Sequence, residues 1–129
     1  MSGLQPELWV ERAREAVAFY RAAFGATVLH SAGDGDDIVA QLAVGDAAFW
    51  VGAANLGMKR FDPQAIGGAT GRTLLVVDDP DFVLQRAVSA GASETSPVEE
   101  EHGWRVGRIV DPFGHEWEIA TPIDAWPPS

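Results

Sequence analysis

The residues of this chain that could carry chemistry are few, and they form no complete catalytic set. The sequence has three histidines and no cysteine, which excludes thiolate zinc sites, iron–sulfur clusters and cysteine nucleophiles. It contains no Ser-His-Asp order, no glycine-rich phosphate loop and no His-Glu-x-x-His helix. Two carboxylates, Glu116 and Glu118, alternate along one predicted strand and so share a face. These motifs favour neither a hydrolase nor a nucleotide-binding protein.

The histidines lie in three different settings. His115 follows a turn glycine, and strand alternation puts it on the opposite face from Glu116 and Glu118, so we interpret it as a structural hydrogen-bonding group. His30 ends a predicted strand and is expected to be exposed. His102 lies in a polar loop, residues 99–103, that is either a solvated edge or the rim of a ligand site.

Composition limits the classes of function. The chain has 129 residues, 47% of them hydrophobic, which suits one compact domain. Its net charge of −10 disfavours nucleic acid as a partner. No apolar segment approaches the ~20 residues that span a bilayer, and no leader pattern opens the sequence, so we expect no membrane partner and a cytoplasmic location.

The elements that must position these side chains follow one order twice. A short apolar run, a helical pattern ended by glycine and three further strand patterns occur in each half. We therefore predict an α+β fold of two βαβββ modules with a concave mixed sheet, the two sheets lying edge to edge around a trough. The predicted parts of this single domain are module one (about 4–54), a linker (about 55–70), module two (about 71–122) and a Pro-rich tail (123–129).

Alternate or helical spacing also predicts a core. The residues expected to be buried between helices and sheets are Leu8, Val10, Val17, Phe24, Leu74, Val76, Val83 and Ile119.

Three segments together resemble a known family. They are A-V-A-F-Y-R-A-A-F-G-A at 16–26, V-D-D-P-D at 77–81 leading to R-A-V-S-A-G-A at 86–92, and D-P-F-G-H-E-W-E-I-A-T at 111–121. In this order they resemble the vicinal-oxygen-chelate superfamily, which includes glyoxalase I, extradiol dioxygenases and bleomycin-resistance proteins, and they are most similar to its PhnB-like branch. The resemblance implies the fold strongly and the function weakly.

The resemblance also implies where a divalent metal would bind, with one ligand from the first and last strand of each module. The position in the last strand of module two is Glu118, a suitable oxygen ligand. The other three positions are Phe49, Gln5 or Glu7, and Arg72 or Thr73. Phenylalanine offers no lone pair and arginine repels a cation, so we expect no metal cofactor; if one binds, its ligands would be Glu118 with Gln5 or Glu7. An inward-pointing Arg72 should pair with Glu118 or Glu116 in its place.

Aromatic residues complete the predicted trough. Trp9 shares strand parity with Gln5 and Glu7 and is expected to face the ligand, whereas Trp50 and Trp117 are expected to pack under the helices. Trp104 opens a strand beside Arg105. Trp126 lies in the tail. The predicted ligand-binding residues are Glu7, Trp9, Phe49, Arg72, Trp104, Arg105, Glu116 and Glu118.

Stacking area combined with carboxylates suits a flat aromatic or cationic small molecule. We therefore predict a metal-independent binder of such a molecule, which resembles the antibiotic-sequestering members of the superfamily. The alternative is a metal-dependent lyase, isomerase or dioxygenase with a shifted ligand set such as Glu7, His102, Glu116 and Glu118, and a module without ligand is a third possibility. The chain is expected to form a homodimer, because the resemblance implies that pairs of such modules complete a trough across chains, and because bare edge strands invite pairing.

Overall fold

A computed structural model describes residues 1–124, and these residues form two modules of the same element order. Module one contains β1 (Glu7–Val10), α1 (Ala13–Phe24), β2 (Thr27–Asp34), β3 (Asp37–Val44) and β4 (Ala47–Ala53). Module two contains β5 (Arg72–Val76), α3 (Pro80–Ser89), β6 (Ser93–Glu101), β7 (Trp104–Val110) and β8 (Glu116–Pro122). Between them lie a 3-10 turn (Leu56–Met58) and a one-turn helix, α2 (Pro63–Ile66).

Each module folds its strands into one mixed sheet. Sheet one has the order β1-β4-β3-β2 and sheet two the order β5-β8-β7-β6. In each sheet the first strand of the module runs parallel to the last, and the other neighbours are antiparallel. The predicted α+β fold of two βαβββ modules is confirmed.

The helix of module one forms where the sequence places its start and end signals. Its apolar residues recur every three or four positions, so that one side of α1 is buried. Gly25 ends the helix with φ 67°, a left-handed conformation that costs glycine least. The residues of α1 that become buried are Ala13, Ala16, Phe19, Tyr20, Ala23 and Phe24.

The two sheets share one core. Within residues 1–124 no strand ladder links sheet one to sheet two. The Tyr20 ring lies 5.3 Å from that of Phe49 in sheet one and 5.5 Å from that of Trp117 in sheet two, and the Phe49 and Trp117 rings are 5.5 Å apart. Each sheet therefore buries one face in this shared core and leaves the other open.

Asp111 fixes the loop between β7 and β8 to the core. It is 4% exposed and accepts hydrogen bonds from the Tyr20 hydroxyl and from Trp117 Nε1, the latter at 2.9 Å. Its other oxygen accepts the backbone N–H groups of Phe113 (2.9 Å) and His115 (3.0 Å). Burial, and secondarily the negative charge of Asp111, raises the pKa of Tyr20 well above its usual value, so the phenol stays a donor and the network stays satisfied.

Four predicted core residues are buried: Leu8, Val10, Phe24 and Ile119. Val17 and Val83 pack against the core while partly exposed. The prediction is wrong for Leu74 and Val76, which are exposed on the open face of sheet two. In β5, Leu75 pairs with the buried Ile119. The buried positions of this strand are therefore shifted by one residue from those predicted.

Two further segments differ from the sequence-based expectation. Residues 99–101, predicted as part of a loop, extend β6 and pair with β7. The linker contains short helical turns and is fastened to module two, because Gln64 Nε2 donates to the Pro112 carbonyl at 3.0 Å. Of the predicted tail, only residues 123 and 124 are described, and Trp126 lies outside the described residues. No helix within residues 1–124 has the length and apolarity to cross a membrane.

Candidate functional site

Strand alternation decides which side chains reach the open faces. On sheet two, the register pairs Arg108 with Glu118 and Leu74 with Glu118 across neighbouring strands. These side chains share a face because directly paired residues point the same way. Together with Glu101, His102, Trp104, Val106 and Ala120 they line a cavity of about 230 Å³.

Four charged side chains on this face form what we term the ion-pair cluster: Arg72, Glu101, Arg108 and Glu118. Arg108 Nε donates to Glu118 at 2.9 Å, and its two terminal nitrogens reach the Glu101 carboxylate at 3.0 and 3.4 Å. Arg72 lies 3.4 Å from the same Glu118 oxygen. The predicted pairing of Arg72 with Glu118 is confirmed as an ion pair, although the short hydrogen bond to Glu118 comes from Arg108.

The contacts within the ion-pair cluster shift the pKa values of two of its members, Glu101 and Arg108. The hydrogen bond from Arg108 lowers the pKa of Glu101 below its ordinary value of 4.5. Hydrogen bonding to Glu101, and then to Glu118, raises the pKa of Arg108. Both shifts favour the charged forms of Glu101 and Arg108. The cluster contains two arginines and two glutamates.

Sheet one carries an uncharged counterpart on its open face, which we term the amide cluster: Gln5, Gln41 and Trp50. Gln5 Oε1 accepts hydrogen bonds from Trp50 Nε1 at 2.8 Å and from Gln41 Nε2 at 3.0 Å. The His30 ring stands edge-on to Trp50 with centroids 6.4 Å apart. One amide oxygen thus satisfies two donors from neighbouring strands.

The two clusters occupy equivalent places in their modules. Trp50 pairs with Gln41 on β3 as Glu118 pairs with Arg108 on β7. Trp50 and Glu118 are each followed by a buried residue that pairs with a leucine of the first strand, Val51 with Leu8 and Ile119 with Leu75. By the same register Gln5 corresponds to Arg72.

Counted by this register from Glu118, the equivalent positions are Gln5, Trp50 and Arg72, so Trp50 takes the place that the hairpin alignment gave to Phe49. They do not fit a divalent cation. The lone pairs of the Gln5 carbonyl and of one Glu118 oxygen already face N–H donors, and Trp50 and Arg72 offer donors only. Within residues 1–124 no three His, Asp or Glu side chains gather closely enough to hold a metal ion.

A second cavity, the linker pocket, lies where β1 approaches the start of sheet two. It has a volume of about 260 Å³ and is lined by Glu7, Trp9, Arg72, His115 and Glu116, under linker residues that include Phe61 and Ile66. Neither Glu7 nor Glu116 has an ion-pair partner within residues 1–124. The pocket therefore offers two carboxylates that form no ion pair, together with Arg72, beside an indole ring.

Backbone contacts hold the linker pocket together. His115 Nε2 lies 2.8 Å from the Trp9 carbonyl oxygen, which ties the start of β8 to β1. This agrees with the predicted structural role of His115. Gly52 faces Trp9 across the ladder, and a Cβ on Gly52 would stand 3.0 Å from the indole. The Trp9 ring therefore lies close against the backbone of residue 52, where a side chain would press on it.

The predicted ligand-binding residues separate into three groups. Glu7, Trp9, Arg72 and Glu116 line the linker pocket, whereas Trp104 and Glu118 line the cavity on sheet two. Phe49 and Arg105 lie elsewhere. The shifted metal set is divided in the same way, because Glu7 and Glu116 line one cavity while His102 and Glu118 line the other.

Two aromatic residues of β4 were predicted on the wrong face of their strand. Phe49 is buried against Tyr20 and Trp117, and Trp50, predicted to pack under the helices, is on the open face. The hairpins explain this, because Val44 pairs with Ala47 across a two-residue turn while Val110 pairs with Glu116 across a five-residue loop. Aligning the hairpins from their turn glycines therefore shifts module one by one residue.

Arg105 is also misplaced, for a different reason. It bonds to Asp81 of α3 with two hydrogen bonds of 2.7 and 2.8 Å and so lies on the helix side of sheet two. Sequence reasoning missed Arg108 and Gln41. The alternation of Trp104 with Val106 and Arg108 carried the signal for Arg108, but it required knowing which face of β7 is open.

Comparisons with known proteins agree with this fold. The sequence model described as Glyoxalase/Bleomycin resistance protein/Dioxygenase superfamily matches residues 4–119. An uncharacterized protein of Mycobacterium bovis is 33% identical over 126 residues, which cover 93% of this chain and 83% of that protein. An uncharacterized protein of Mycobacterium tuberculosis is 33% identical over 93% of this chain and 74% of its own length.

Solved structures match over nearly the whole chain. TioX from Micromonospora sp. ML1 has a TM-score of 0.71 at 26% identity, covering 96% of this chain and 98% of its own. An Arabidopsis thaliana gene product has a TM-score of 0.70 at 26% identity, covering 93% and 98%. The fosfomycin resistance protein FosX from Listeria monocytogenes, complexed with Mn(II), has a TM-score of 0.72 at 15% identity, covering 98% and 93%, and shows likeness of fold alone.

Proposed function

The chain belongs to the glyoxalase/bleomycin resistance protein/dioxygenase superfamily, and we propose that within it this protein binds a flat aromatic or cationic small molecule without a metal. The observation that carries the proposal is the pairing of Glu118 with Arg72 and Arg108. A carboxylate held by two guanidinium groups is a poor metal ligand, because the cation would have to displace charge-assisted contacts. Membership of the PhnB-like branch is part of the same proposal and rests on the motifs.

The linker pocket supports the ligand class. Trp9 supplies a half-buried aromatic surface, and Glu7 and Glu116 supply negative charge with no opposing ion pair within the described residues. The overall charge of −10 adds to the attraction for a cation. A planar organic cation would stack on the indole and orient its charge toward the carboxylates.

The test uses proflavine, a planar cation, with an anionic planar molecule such as anthraquinone-2-sulfonate for comparison. Untagged protein should bind proflavine more tightly than the sulfonate in calorimetric titration, and EDTA should change neither the affinity nor the melting temperature. Stoichiometric zinc, nickel, iron or manganese in the purified protein, with a melting temperature that falls on chelation, would overturn the proposal in favour of the metal-dependent enzyme.

Removing the stacking surface should weaken binding most. Trp9→Ala is expected to lower proflavine affinity by about 1–3 kcal/mol, because the indole contributes buried aromatic area. Phe82→Ala is the matched control, since Phe82 is an exposed aromatic on α3 and lines neither cavity. Equal affinities for the two variants would remove Trp9 from the site.

We also propose that the protein forms a homodimer. Leu74 and Val76 remain exposed on the open face of sheet two, and the two clusters lie on sheets that no ladder joins within residues 1–124. A second copy covering this face would bury apolar area that one chain leaves in water. Light scattering at micromolar concentration should give twice the 13.8 kDa of one chain, and Val76→Lys should lower it; a wild-type mass of one chain would contradict the dimer.

A further inference from the structure

Arg60 of the linker lies on the ring that the proposed ligand would use. Its guanidinium carbon is 4.8 Å from the centroid of the Trp9 ring, within the range of a cation–π contact. Arg60 makes no hydrogen bond or ion pair within residues 1–124 apart from those of its backbone. The Trp9 ring is thus its one side-chain partner there.

The backbone holds Arg60 in this place independently of its side chain. Asn55 and Arg60 exchange two backbone hydrogen bonds, both of 2.9 Å, in an isolated antiparallel bridge. The Asn55 side chain accepts the Met58 N–H at 3.2 Å, and Lys59 closes the turn at φ 60°. Because the loop fixes the start of the side chain, the guanidinium can leave the indole without unfolding the linker.

The position of Trp9 leaves little room for a ligand to avoid Arg60. Gly52 stands so close to the indole from the side of the sheet that a Cβ there would lie 3.0 Å from the ring. The ring is therefore bounded by β4 on one side and approached by Arg60 from the linker. Arg60 is not itself part of the lining of the linker pocket, but a planar ligand that stacks on the ring face beneath its guanidinium needs the area that Arg60 covers.

We infer that Arg60 is a displaceable internal cap on Trp9, which occupies the stacking surface until a planar ligand replaces it. This inference rests on the proposed function, because it assumes that ligands stack on Trp9. The contact is a partly exposed one and has no carboxylate to anchor it, so its loss is readily offset by a larger aromatic surface. Arg60 would thereby set the minimum stacking area that a ligand must offer.

The experiment compares Arg60→Gln with Lys59→Asn. Both remove one positive charge from the same loop, and asparagine tolerates the left-handed backbone of position 59. Arg60→Gln should bind both proflavine and the uncharged planar molecule acridone about two- to fivefold more tightly, because the cap no longer competes. Lys59→Asn should strengthen proflavine binding less and leave acridone binding unchanged.

NMR measures the contact between Arg60 and Trp9 directly, through a chemical-shift change that removal of a charge alone would not produce. Ring current from Trp9 should shift the Arg60 side-chain protons upfield in the free protein, and saturation with proflavine should return them to ordinary values. Arg60 protons that stay shifted in the complex, or an Arg60→Gln variant that binds acridone no better than wild type, would overturn the cap. Absence of any proflavine binding, with Trp9→Ala behaving as wild type, would instead refute the proposed function.

Discussion

The amide cluster of sheet one and the ion-pair cluster of sheet two both satisfy the polar side chains of an open sheet face, the first with neutral groups and the second with charged ones. In sheet one the acceptor comes from the segment before β1, because Gln5 receives bonds from Trp50 and Gln41. In sheet two the acceptor comes from the last strand, because Glu118 receives Arg108 and faces Arg72. Equivalent backbone positions therefore tolerate exchange of donor and acceptor, provided that each open face satisfies its own polar groups.

The difference concerns charge, and it bears on function. The amide cluster is neutral and exposed, while the ion-pair cluster contains four charges that cancel. Neither leaves converging lone pairs for a cation. The uncompensated carboxylates of the described pockets instead lie between the sheets, at Glu7 and Glu116. In this chain the carboxylates without an ion-pair partner in that lining therefore belong to the linker pocket and not to either cluster.

The largest expected effect comes from breaking the core that holds both clusters. Asp111→Ala would strip an acceptor from two buried side chains and two backbone N–H groups. We expect a loss of about 3 kcal/mol or more in the free energy of unfolding. Urea denaturation followed by circular dichroism measures it, and Asp111→Asn, which keeps one of the two acceptor oxygens, should lose less. A loss no larger than that of a surface substitution would contradict this role.

The next prediction compares how much each cluster contributes to the free energy of unfolding. Arg108→Gln removes the donor that joins Glu101 and Glu118 and should lower the free energy of unfolding by about 1 kcal/mol. Gln41→Ala removes the equivalent donor from the amide cluster. Its exposed hydrogen bond should cost about half of that or less. Equal losses in urea denaturation would show that charge adds nothing to the sheet-two arrangement.

A substitution at Gly52 tests whether the open face of sheet one, like that of sheet two, tolerates a methyl group at this position. Position 52 corresponds to Ala120 of sheet two, where a methyl group is already accommodated. Gly52→Ala would press on the Trp9 ring and should weaken proflavine binding by roughly three- to tenfold, with little change in melting temperature. Calorimetric titration measures this. Unchanged binding would mean that the indole position is not needed.

The smallest expected effect is on acid sensitivity. The folded-state pKa of Glu101 lies below 4.5, so its contribution to stability is present above that value and is lost as the pH falls through the folded-state pKa. Arg108→Gln should return the pKa toward 4.5 and flatten the decline of stability with acid. Urea midpoints measured across the acid range test this; identical pH profiles for variant and wild type would contradict it.

Sequence periodicity was sufficient for the element order, since helix stops, turn residues and apolar runs are local signals. The resemblance and strand parity together gave a predicted ligand set of which Glu7, Trp9, Arg72 and Glu116 line one cavity. Sequence periodicity failed at Phe49 and Leu74, where a one-residue error in phase moves a side chain to the other face. Turn length sets that phase, and hairpins of unequal length do not align from their turns.

The sequence by itself determined the two βαβββ modules, the acidic charge and the types of the candidate side chains, because composition and period are properties of the chain alone. Only the tertiary structure decided that Arg108 joins Glu101 to Glu118, that Gln5 meets Trp50, and that Arg60 covers Trp9. These contacts join residues brought together by strand register and by the path of the linker. No local pattern encodes such distances, since they follow from how the sheets and the shared core pack.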